Sequence, residues 1–231
     1  MGIKEIYQAF DKIGCLSFTT VDEQNQPVSR IAHLRGYDEN GIYFMTMYTK
    51  DFYKHLKANG NISLCGLCAD TRVVHDENGA PTFDGGYAIR MTGKACEVGM
   101  DEIKSKQNPI FDFCIADQIK YPAMVVFCIT SGWGDVFDYD FEKITRENKL
   151  EREYFSFGTA TVKYKGLSID KEVCISCGLC KKKCSFLAIE EKEGLYSINQ
   201  NRCDECGDCY ISCPVKAIHY RGEYKAIIKR I

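Results

Sequence analysis

Apolar positions recur with helical spacing at the start of the chain and alternate with polar positions over much of the rest of it. Ile3, Ile6, Tyr7, Phe10 and Ile13 fall on one helical face with charged residues opposite, which predicts an amphipathic docking helix. Alternation and short buried runs then predict strands over residues 15–21, 27–34, 42–46, 62–68, 87–98, 124–130 and 133–141.

Helix signals interrupt this run of strands. Asp51 is expected to cap a helix over residues 52–58, which Gly60 would close. Residues 100–120 are helical in pattern, but Asn108-Pro109 interrupts them, so two short helices are expected. Six or seven antiparallel strands with one helix inserted midway favour a small closed barrel, because closure removes the sheet edges.

Length and a charged stretch predict two domains. The chain has 231 residues, which is long for one domain and sufficient for two. Residues 142–152 are rich in Lys, Glu and Arg and poor in apolar residues, as in a surface connection. We therefore expect domains over residues 1–150 and 151–231, and an α+β fold in which an antiparallel β-barrel with helices precedes a smaller domain.

Charge and terminal sequence narrow the class of protein. The formal charge of −2 gives no case for nucleic-acid or membrane binding. The start of the chain lacks the features of a secretory signal, and the apolar run at residues 123–129 is too short to span a bilayer. A cytoplasmic protein is expected, in which the cysteines stay reduced.

Eight of the fourteen cysteines lie in two copies of one pattern, C-x2-C-x2-C-x3-C, which begin at Cys174 and Cys203. The copies are 29 residues apart, and the same offset relates Ala188-Ile189 to Ala217-Ile218, so the segment is an internal duplication. Zinc is typically bound by two separated CxxC pairs, which leaves the third and fourth cysteines of each copy unexplained. A disulfide scaffold would need an oxidising compartment.

Residues 167–220 resemble the bacterial two-[4Fe-4S] ferredoxin family, and this resemblance accounts for all eight cysteines. In that pattern the fourth cysteine of each run binds the cluster held by the other run. The ligands implied for one cluster are Cys174, Cys177, Cys180 and Cys213, and those for the other are Cys203, Cys206, Cys209 and Cys184. One departure is Ser185, which stands where the second copy has Pro214.

The earlier part of the chain resembles a second family. The stretches PVSRIAHLR from Pro27 and IYFMTMYTKDFYKHL from Ile42 resemble the pyridoxamine-phosphate-oxidase-like flavoproteins, with further similarity at RMTG from Arg90. The resemblance covers roughly residues 5–140. It implies a split β-barrel that binds FMN at a homodimer interface, although the cysteine module replaces the C-terminal segment that grips the substrate in the oxidase.

Chemistry at such a site requires cations at the FMN phosphate and backbone groups along the flavin ring. The implied phosphate ligands are Arg30, Lys50, Thr46 and Thr49, with Arg35 as a further basic candidate. The residues implied along the ring, through their main chain, are Ile31, Ala32, Met45 and Met47. A lone basic residue at a strand end is usually a solvated charge, but two on paired strands and at a helix start favour an anion site.

Other chemically suggestive residues have structural interpretations. The Cys65-x-x-Cys68 pair ends a predicted strand, where residues three apart face opposite sides, so core packing is expected rather than redox chemistry. Four further cysteines are expected to be buried hydrophobes: Cys15, Cys96, Cys114 and Cys128. His33 could donate a proton to a substrate and Trp133 could stack near the flavin, but packing roles are expected for both.

Two cofactor types on one chain predict a converter between one-electron and two-electron transfer. The sequence therefore favours an iron–sulfur flavoprotein oxidoreductase with FMN and two [4Fe-4S] clusters, a redox partner and an organic acceptor. An electron carrier without a small-molecule substrate stays open. So does a redox sensor, although the chain contains no recognisable DNA-binding motif.

Overall fold

The computed structural model describes residues 1–69, 74–75, 77–79, 81–82, 86–139, 151–164 and 166–220. The chain forms two compact units. The first comprises Met1–Cys68, Ala88–Val136 and Tyr154–Val162, and the second comprises Ala69–Tyr87, Phe137–Glu153 and Lys163–Ile231.

A large antiparallel sheet is the main element of the fold. Its strands are β1 (Leu16–Val21), β2 (Pro27–Ala32), β3 (Leu34–Asp38), β4 (Gly41–Met47), β5 (Asn61–Ala69), β8 (Gly86–Val98), β9 (Met124–Tyr139) and β10 (Glu151–Phe157). The strand order is β2-β1-β5-β8-β9-β4-β3, and β10 pairs with β9. Two short strands, β6 (Val74–His75) and β7 (Pro81–Thr82), form a separate hairpin. The predicted α+β class is confirmed.

The helices lie close to their predicted positions. They are α1 (Ile3–Ile13), α2 (Asp51–Asn59), α3 (Met100–Ser105), a 3₁₀ turn (Pro109–Phe111) and α4 (Asp112–Lys120). Pro109 separates α3 from α4 as expected. Gly60 ends α2 in a left-handed conformation, φ 65°, but the N-cap is Lys50, and Asp51 is the first helical residue. The predicted capping role of Asp51 is therefore wrong.

Strand β4 lies between two packed layers, which is why its first six residues are buried. On one side the Phe44 ring lies 5.3 Å from Phe18, 5.6 Å from Phe52 on α2 and 5.7 Å from Phe127, measured between centroids. On the other side Tyr43 and Met45 pack against the segment that carries α3 and α4. Since side chains alternate along a strand, Thr46 belongs to the Phe44 side.

A buried ion pair connects β3 to α3. Lys106 Nζ lies 2.8 Å from Asp38 Oδ2, with the two side chains 15% and 7% exposed. The Tyr43 hydroxyl donates to the same carboxylate at 3.0 Å. Burial alone would raise the pKa of Asp38, but the hydrogen bonds from Lys106, the Asn40 amide and Tyr43 outweigh it, and the pKa is lowered.

The prediction of two strands at 124–130 and 133–141 is wrong, because the single strand β9 runs without a break from Met124 to Tyr139. Gly132 and Gly134 are required by close packing rather than by a turn. A Cβ on Gly134 would collide with the carbonyl oxygen of Arg90 on β8, and one on Gly132 would lie 3.0 Å from the Met91 sulfur. Residues 140–150, which include most of the predicted surface connection, lie outside the described residues.

Strand β10 was not predicted. Its first residues extend the charged composition of the preceding segment, and its buried residues, Phe155 and Phe157, come only at the end. The strand exists because β9 is long enough to pair with it, which is a non-local interaction.

The second unit contains the duplicated segment. Its elements there are β11 (Leu167–Ile169), α5 (Leu179–Lys183), β12 (Ile189–Lys192), β13 (Leu195–Ile198), α6 (Asp208–Ser212) and β14 (Ile218–Tyr220). Strand β11, which opens the first copy, pairs with β14, which closes the second. Strands β12 and β13 pair across the junction of the copies. This intertwined pairing brings the end of each copy beside the start of the other.

Candidate functional site

The two cysteine loops share an unusual backbone. Ser176 and Glu205, 29 residues apart, both have positive φ, 57° and 60°. Gly178 and Gly207 follow at 71° and 85° and cap the short helices α5 and α6. Because non-glycine residues rarely adopt positive φ, its recurrence at matched positions shows that the two copies fold alike.

The first loop opens onto a small cavity. Four cysteines line it: Cys174, Cys177, Cys180 and Cys213. The first three come from one copy and Cys213 from the other, which the β11–β14 pairing carries back to the first loop. These are the four cysteines that the ferredoxin-like pattern assigns to one cluster.

The second loop is built in the same way. A second small cavity is lined by the other quartet: Cys184, Cys203, Cys206 and Cys209. The rest of the lining is largely apolar, including Leu167 and Ile198, so little besides sulfur is available to bind a metal centre. Leu167 and Ile198 also belong to the small apolar core that holds the two loops together.

Backbone amides point at several of the sulfurs. The Ala188 N–H donates to Cys184 Sγ and the Ala217 N–H to Cys213 Sγ, both at 3.3 Å, and these positions are equivalent in the two copies. The Glu205 N–H donates to Cys203 Sγ at 3.4 Å. Such donors stabilise negative charge on thiolate sulfur.

Burial and neighbouring thiols raise the pKa of four of these cysteines: Cys180, Cys203, Cys206 and Cys209. Desolvation, followed by the charges of Cys203, Cys184 and Cys206, raises the pKa of Cys209 to about 12. Desolvation likewise raises the pKa of Cys180. Metal thiolate bonds would replace the thiol protons.

The residues therefore fit two four-iron clusters. Each cavity is lined by four sulfur donors, which is the donor set of a cubane. In the described part of the chain, no three His, Cys, Asp or Glu side chains converge closely enough to hold a single ion.

Arg152 is a neighbour of the second loop that sequence analysis did not single out. Its side chain is 9% exposed, its Nη1 donates to the Cys203 carbonyl at 3.4 Å, and the same nitrogen lies 3.7 Å from Glu205. The Arg152 amide also donates to the Asn201 carbonyl at 2.9 Å. No local motif marks this residue, because its contacts are made about 50 residues later in the chain.

The first unit holds the candidate FMN residues. Arg30 projects to the side of the sheet that carries Phe18 and α2. Its Nη1 donates to Thr20 Oγ1 at 2.8 Å, and the guanidinium lies 4.3 Å from the Phe52 ring centroid. Thr20 Oγ1 also lies 3.0 Å from His55 Nδ1. Desolvation lowers the pKa of Arg30, whose contacts with Thr20 and Phe52 are both to neutral groups.

The other phosphate candidates lie near the start of α2. Lys50 is the helix N-cap and is exposed, as is Thr49, while Thr46 is buried at the end of β4. A helix N-terminus favours an anion. The contact between Arg30 and Phe52 connects strand β2 to the helix that Lys50 caps.

Arg35 has a different environment. It lies 3.7 Å from Asp117 and 4.5 Å from the Phe113 ring centroid, both on α4, so its charge is compensated locally. Of the residues expected along the flavin ring, Ile31 is 68% exposed and Met45 is buried. Ala32 and Met47 are half-buried.

The six remaining cysteines are buried, half-buried or exposed, and Cys68 is the half-buried one. Cys114 and Cys128 are buried as predicted, and burial raises the pKa of Cys114 to about 11. The prediction is wrong for Cys15, Cys96 and Cys65, which are exposed. Strand alternation explains Cys96, because Ala95 takes the buried position beside it.

Both parts of the chain match models of known protein families. The family model described as pyridoxamine 5'-phosphate oxidase matches residues 3–130, more than half of the chain. The chain belongs to this family. A 4Fe-4S dicluster domain matches residues 173–218, a span that includes both cysteine loops. The fold of the first unit is therefore the split barrel that the sequence predicted, followed by a ferredoxin-type domain.

Curated relatives match the cysteine module. A ferredoxin of Pyrobaculum islandicum is 37% identical over 62 residues, which is 26% of this chain and 58% of the ferredoxin. A subunit of an ion-translocating oxidoreductase complex of Methanosarcina acetivorans is 46% identical over 48 residues, 21% of this chain and 18% of that subunit. The chain thus spans less than two thirds of either relative.

Solved structures align with a larger part of the chain. A NimC/NimA family protein of Clostridium acetobutylicum has 20% identity and a TM-score of 0.47, covering 68% of this chain and 92% of that one. The haem storage protein HutZ of Vibrio cholerae has 16% identity and a TM-score of 0.40, covering 56% of this chain and 90% of that one.

Among the described helices, none has the length and apolar character needed to cross a bilayer.

Proposed function

We propose that this chain is an iron–sulfur flavoprotein oxidoreductase that passes electrons between two [4Fe-4S] clusters and FMN to reduce an organic acceptor. The observation that carries the proposal is the pair of cavities, each lined by four cysteines drawn from both copies. The match to a dicluster domain supports an iron–sulfur electron-transfer role for the second half. Membership of the oxidase family supports a flavin in the first.

The clusters are assigned to the second domain, residues 151–231. Each loop provides three thiolates and the opposite copy provides the fourth, so the strand pairs β11–β14 and β12–β13 fix the ligand geometry. Amides at Ala188 and Ala217 stabilise thiolate charge. Largely apolar lining excludes water and limits competing ligands.

FMN is assigned to the first domain, residues 1–150. Arg30 and Lys50 bind its phosphate, with hydroxyl hydrogen bonds from Thr46 and Thr49. Thr20 orients the Arg30 guanidinium by accepting its hydrogen bond at 2.8 Å. The main chain of Ile31, Ala32, Met45 and Met47 contacts the ring. Arg35 is the weakest member of this set, because Asp117 already compensates its charge.

The reaction class follows from combining the two cofactors. When bound, the clusters supply one-electron transfer and FMN supplies exchange between one-electron and two-electron steps. The protein's contribution is to hold both within one chain and to keep the thiolate and phosphate charges compensated. The proposed assembly is a cytoplasmic homodimer through the barrel, which would cover exposed apolar residues such as Ile31 and Tyr48.

The test is anaerobic purification followed by iron and flavin analysis. About eight irons and one FMN per chain are expected, and fewer than about four irons after reconstitution would refute the cluster assignment. Turnover is then measured with nitroaromatic and quinone acceptors. If the reduced protein passes electrons to other proteins but to none of these acceptors, it is an electron carrier and the reductase proposal fails.

A further inference from the structure

Helix α5 borders an open groove of about 760 Å³ in the cysteine module. Three consecutive lysines of α5 line it, Lys181, Lys182 and Lys183. Cys177 and Cys184 also line it, and these belong to different quartets. A molecule seated in this groove would therefore lie beside ligands of both proposed clusters.

The duplication provides an internal control for the lysines. The equivalent positions in the second copy, 29 residues later, are Tyr210, Ile211 and Ser212. Both copies present a cysteine quartet around a cavity of nearly the same volume, so building the cavity does not require a basic helix. The three lysines therefore belong to one face of the module and are not needed to form a cysteine loop.

The two copies also differ in charge at their exposed cysteines. Cys206 is exposed next to Asp204, Glu205 and Asp208, an acidic setting. Cys177 is exposed too, but its charged groove neighbours are the α5 lysines.

One of the three lysines is partly neutralised. Lys181 lies 3.7 Å from Glu191, whereas Lys182 and Lys183 form no ion pair within the described ranges. An apolar side chain lies in the groove beside the lysines, because Leu187 also lines it and is 59% exposed.

We propose that this groove, the lysine groove, docks a one-electron-transfer protein whose contact surface is acidic. The lysines would steer the partner, and Leu187 would give a small apolar contact, a combination suited to transient redox complexes. Cys177 and Cys184 place the proposed clusters next to the contact. Glu191 at the edge limits the basic surface to about one helix, which fits a protein patch better than a nucleic-acid backbone. The inference rests on the clusters of the proposed function and is independent of the flavin.

Binding is tested with two haem proteins of opposite charge, acidic cytochrome b5 and basic cytochrome c. The full-length holoprotein is compared with Lys182→Glu/Lys183→Glu and with a matched control, Lys192→Glu/Lys216→Glu. The control carries the same charge change at exposed lysines of the module that do not line the groove. The equilibrium Kd for ferric cytochrome b5 at low ionic strength is expected to rise about tenfold in the groove variant and little in the control.

Electron transfer gives a second readout. On mixing with the reduced chain, the haem iron of cytochrome b5 accepts one electron and passes from ferric to ferrous, while the chain loses one electron. The second-order rate is expected to fall about tenfold in the groove variant and to fall with added salt, with cytochrome c showing neither effect. Iron content is measured for every variant to show that the clusters are retained.

Each result bears on a different claim. Equal slowing by the groove and control variants, or unchanged binding in the groove variant, would overturn the docking proposal while leaving the clusters in place. A reduced wild type that transfers electrons to neither cytochrome would overturn the electron-transfer function itself, and the docking surface with it.

Discussion

Replacement of Thr20 by valine tests the proposed phosphate site through a residue that need not touch FMN. Thr20 is 1% exposed, and its hydroxyl accepts the 2.8 Å hydrogen bond from Arg30 Nη1. Because His55 Nδ1 lies 3.0 Å away, the same hydroxyl can donate to the histidine while it accepts from the arginine. Valine keeps the shape and removes both interactions.

The magnitude follows from the type of bond that is lost. A hydrogen bond to a charged group contributes about 1.5–3 kcal/mol. If about half of the upper value appears as misplacement of the guanidinium, FMN binding weakens by about 1.5 kcal/mol, which is about tenfold in Kd. Thr19→Val is the matched control, because Thr19 lies on the opposite face and pairs at 2.7 Å with the exposed Ser29 hydroxyl.

The assay is titration of flavin-depleted protein with FMN, followed by quenching of flavin fluorescence. The expected result is a Kd about tenfold higher for Thr20→Val and within about twofold of wild type for Thr19→Val, with equal iron content in all three proteins. Unchanged FMN affinity in Thr20→Val, or an equal loss in Thr19→Val, would refute the role given to Arg30 and its support.

Three further predictions concern the clusters and the fold. Cys213→Ala is expected to remove the cluster of the first loop and leave about four irons per chain, whereas ligation within each copy would instead cost the second-loop cluster. Asp38→Asn leaves Lys106 with Glu102, 3.7 Å away and 59% exposed, as its only ion-pair partner among the described residues, and is expected to lower the free energy of unfolding by about 3 kcal/mol in denaturant titration. The pKa of Asp38 is lower in the folded than in the unfolded chain. Its contribution to the free energy of unfolding in the wild type is therefore fully present above the unfolded carboxyl pKa of about 3.9 and is lost as the pH falls through the folded pKa. Gly134→Ala forces the strand away from the Arg90 carbonyl and is expected to lower thermal stability by about 2 kcal/mol or more; an unchanged midpoint would contradict the close approach.

Local sequence signals predicted the parts of this protein whose geometry is local. Each cysteine loop is defined by spacing over about ten residues, and the duplication doubles the signal. Helix α2 and its end at Gly60 were predicted for the same reason, since the periodicity and the glycine are adjacent in sequence.

Features that depend on distant pairing could not be predicted in this way. Strand β10 is stabilised by β9. The predicted gap between residues 130 and 133 does not exist, because Gly132 packs closely beside Met91, which is visible only in three dimensions. Arg152 contacts Cys203, which lies about 50 residues later in the chain, and no sequence motif links the two. At the proposed flavin site the sequence indicated Arg30 but not Thr20 and His55, which are linked to it by hydrogen bonds on one face of the sheet.

The central claim is that one chain holds both a two-electron flavin and two one-electron clusters. An anaerobic reductive titration of the purified protein, followed by absorbance and electron paramagnetic resonance, measures this capacity. Full reduction is expected to take about four electrons per chain, one for each cluster and two for FMN. A protein that takes up only about two electrons, in the clusters alone or in the flavin alone, would contradict the account.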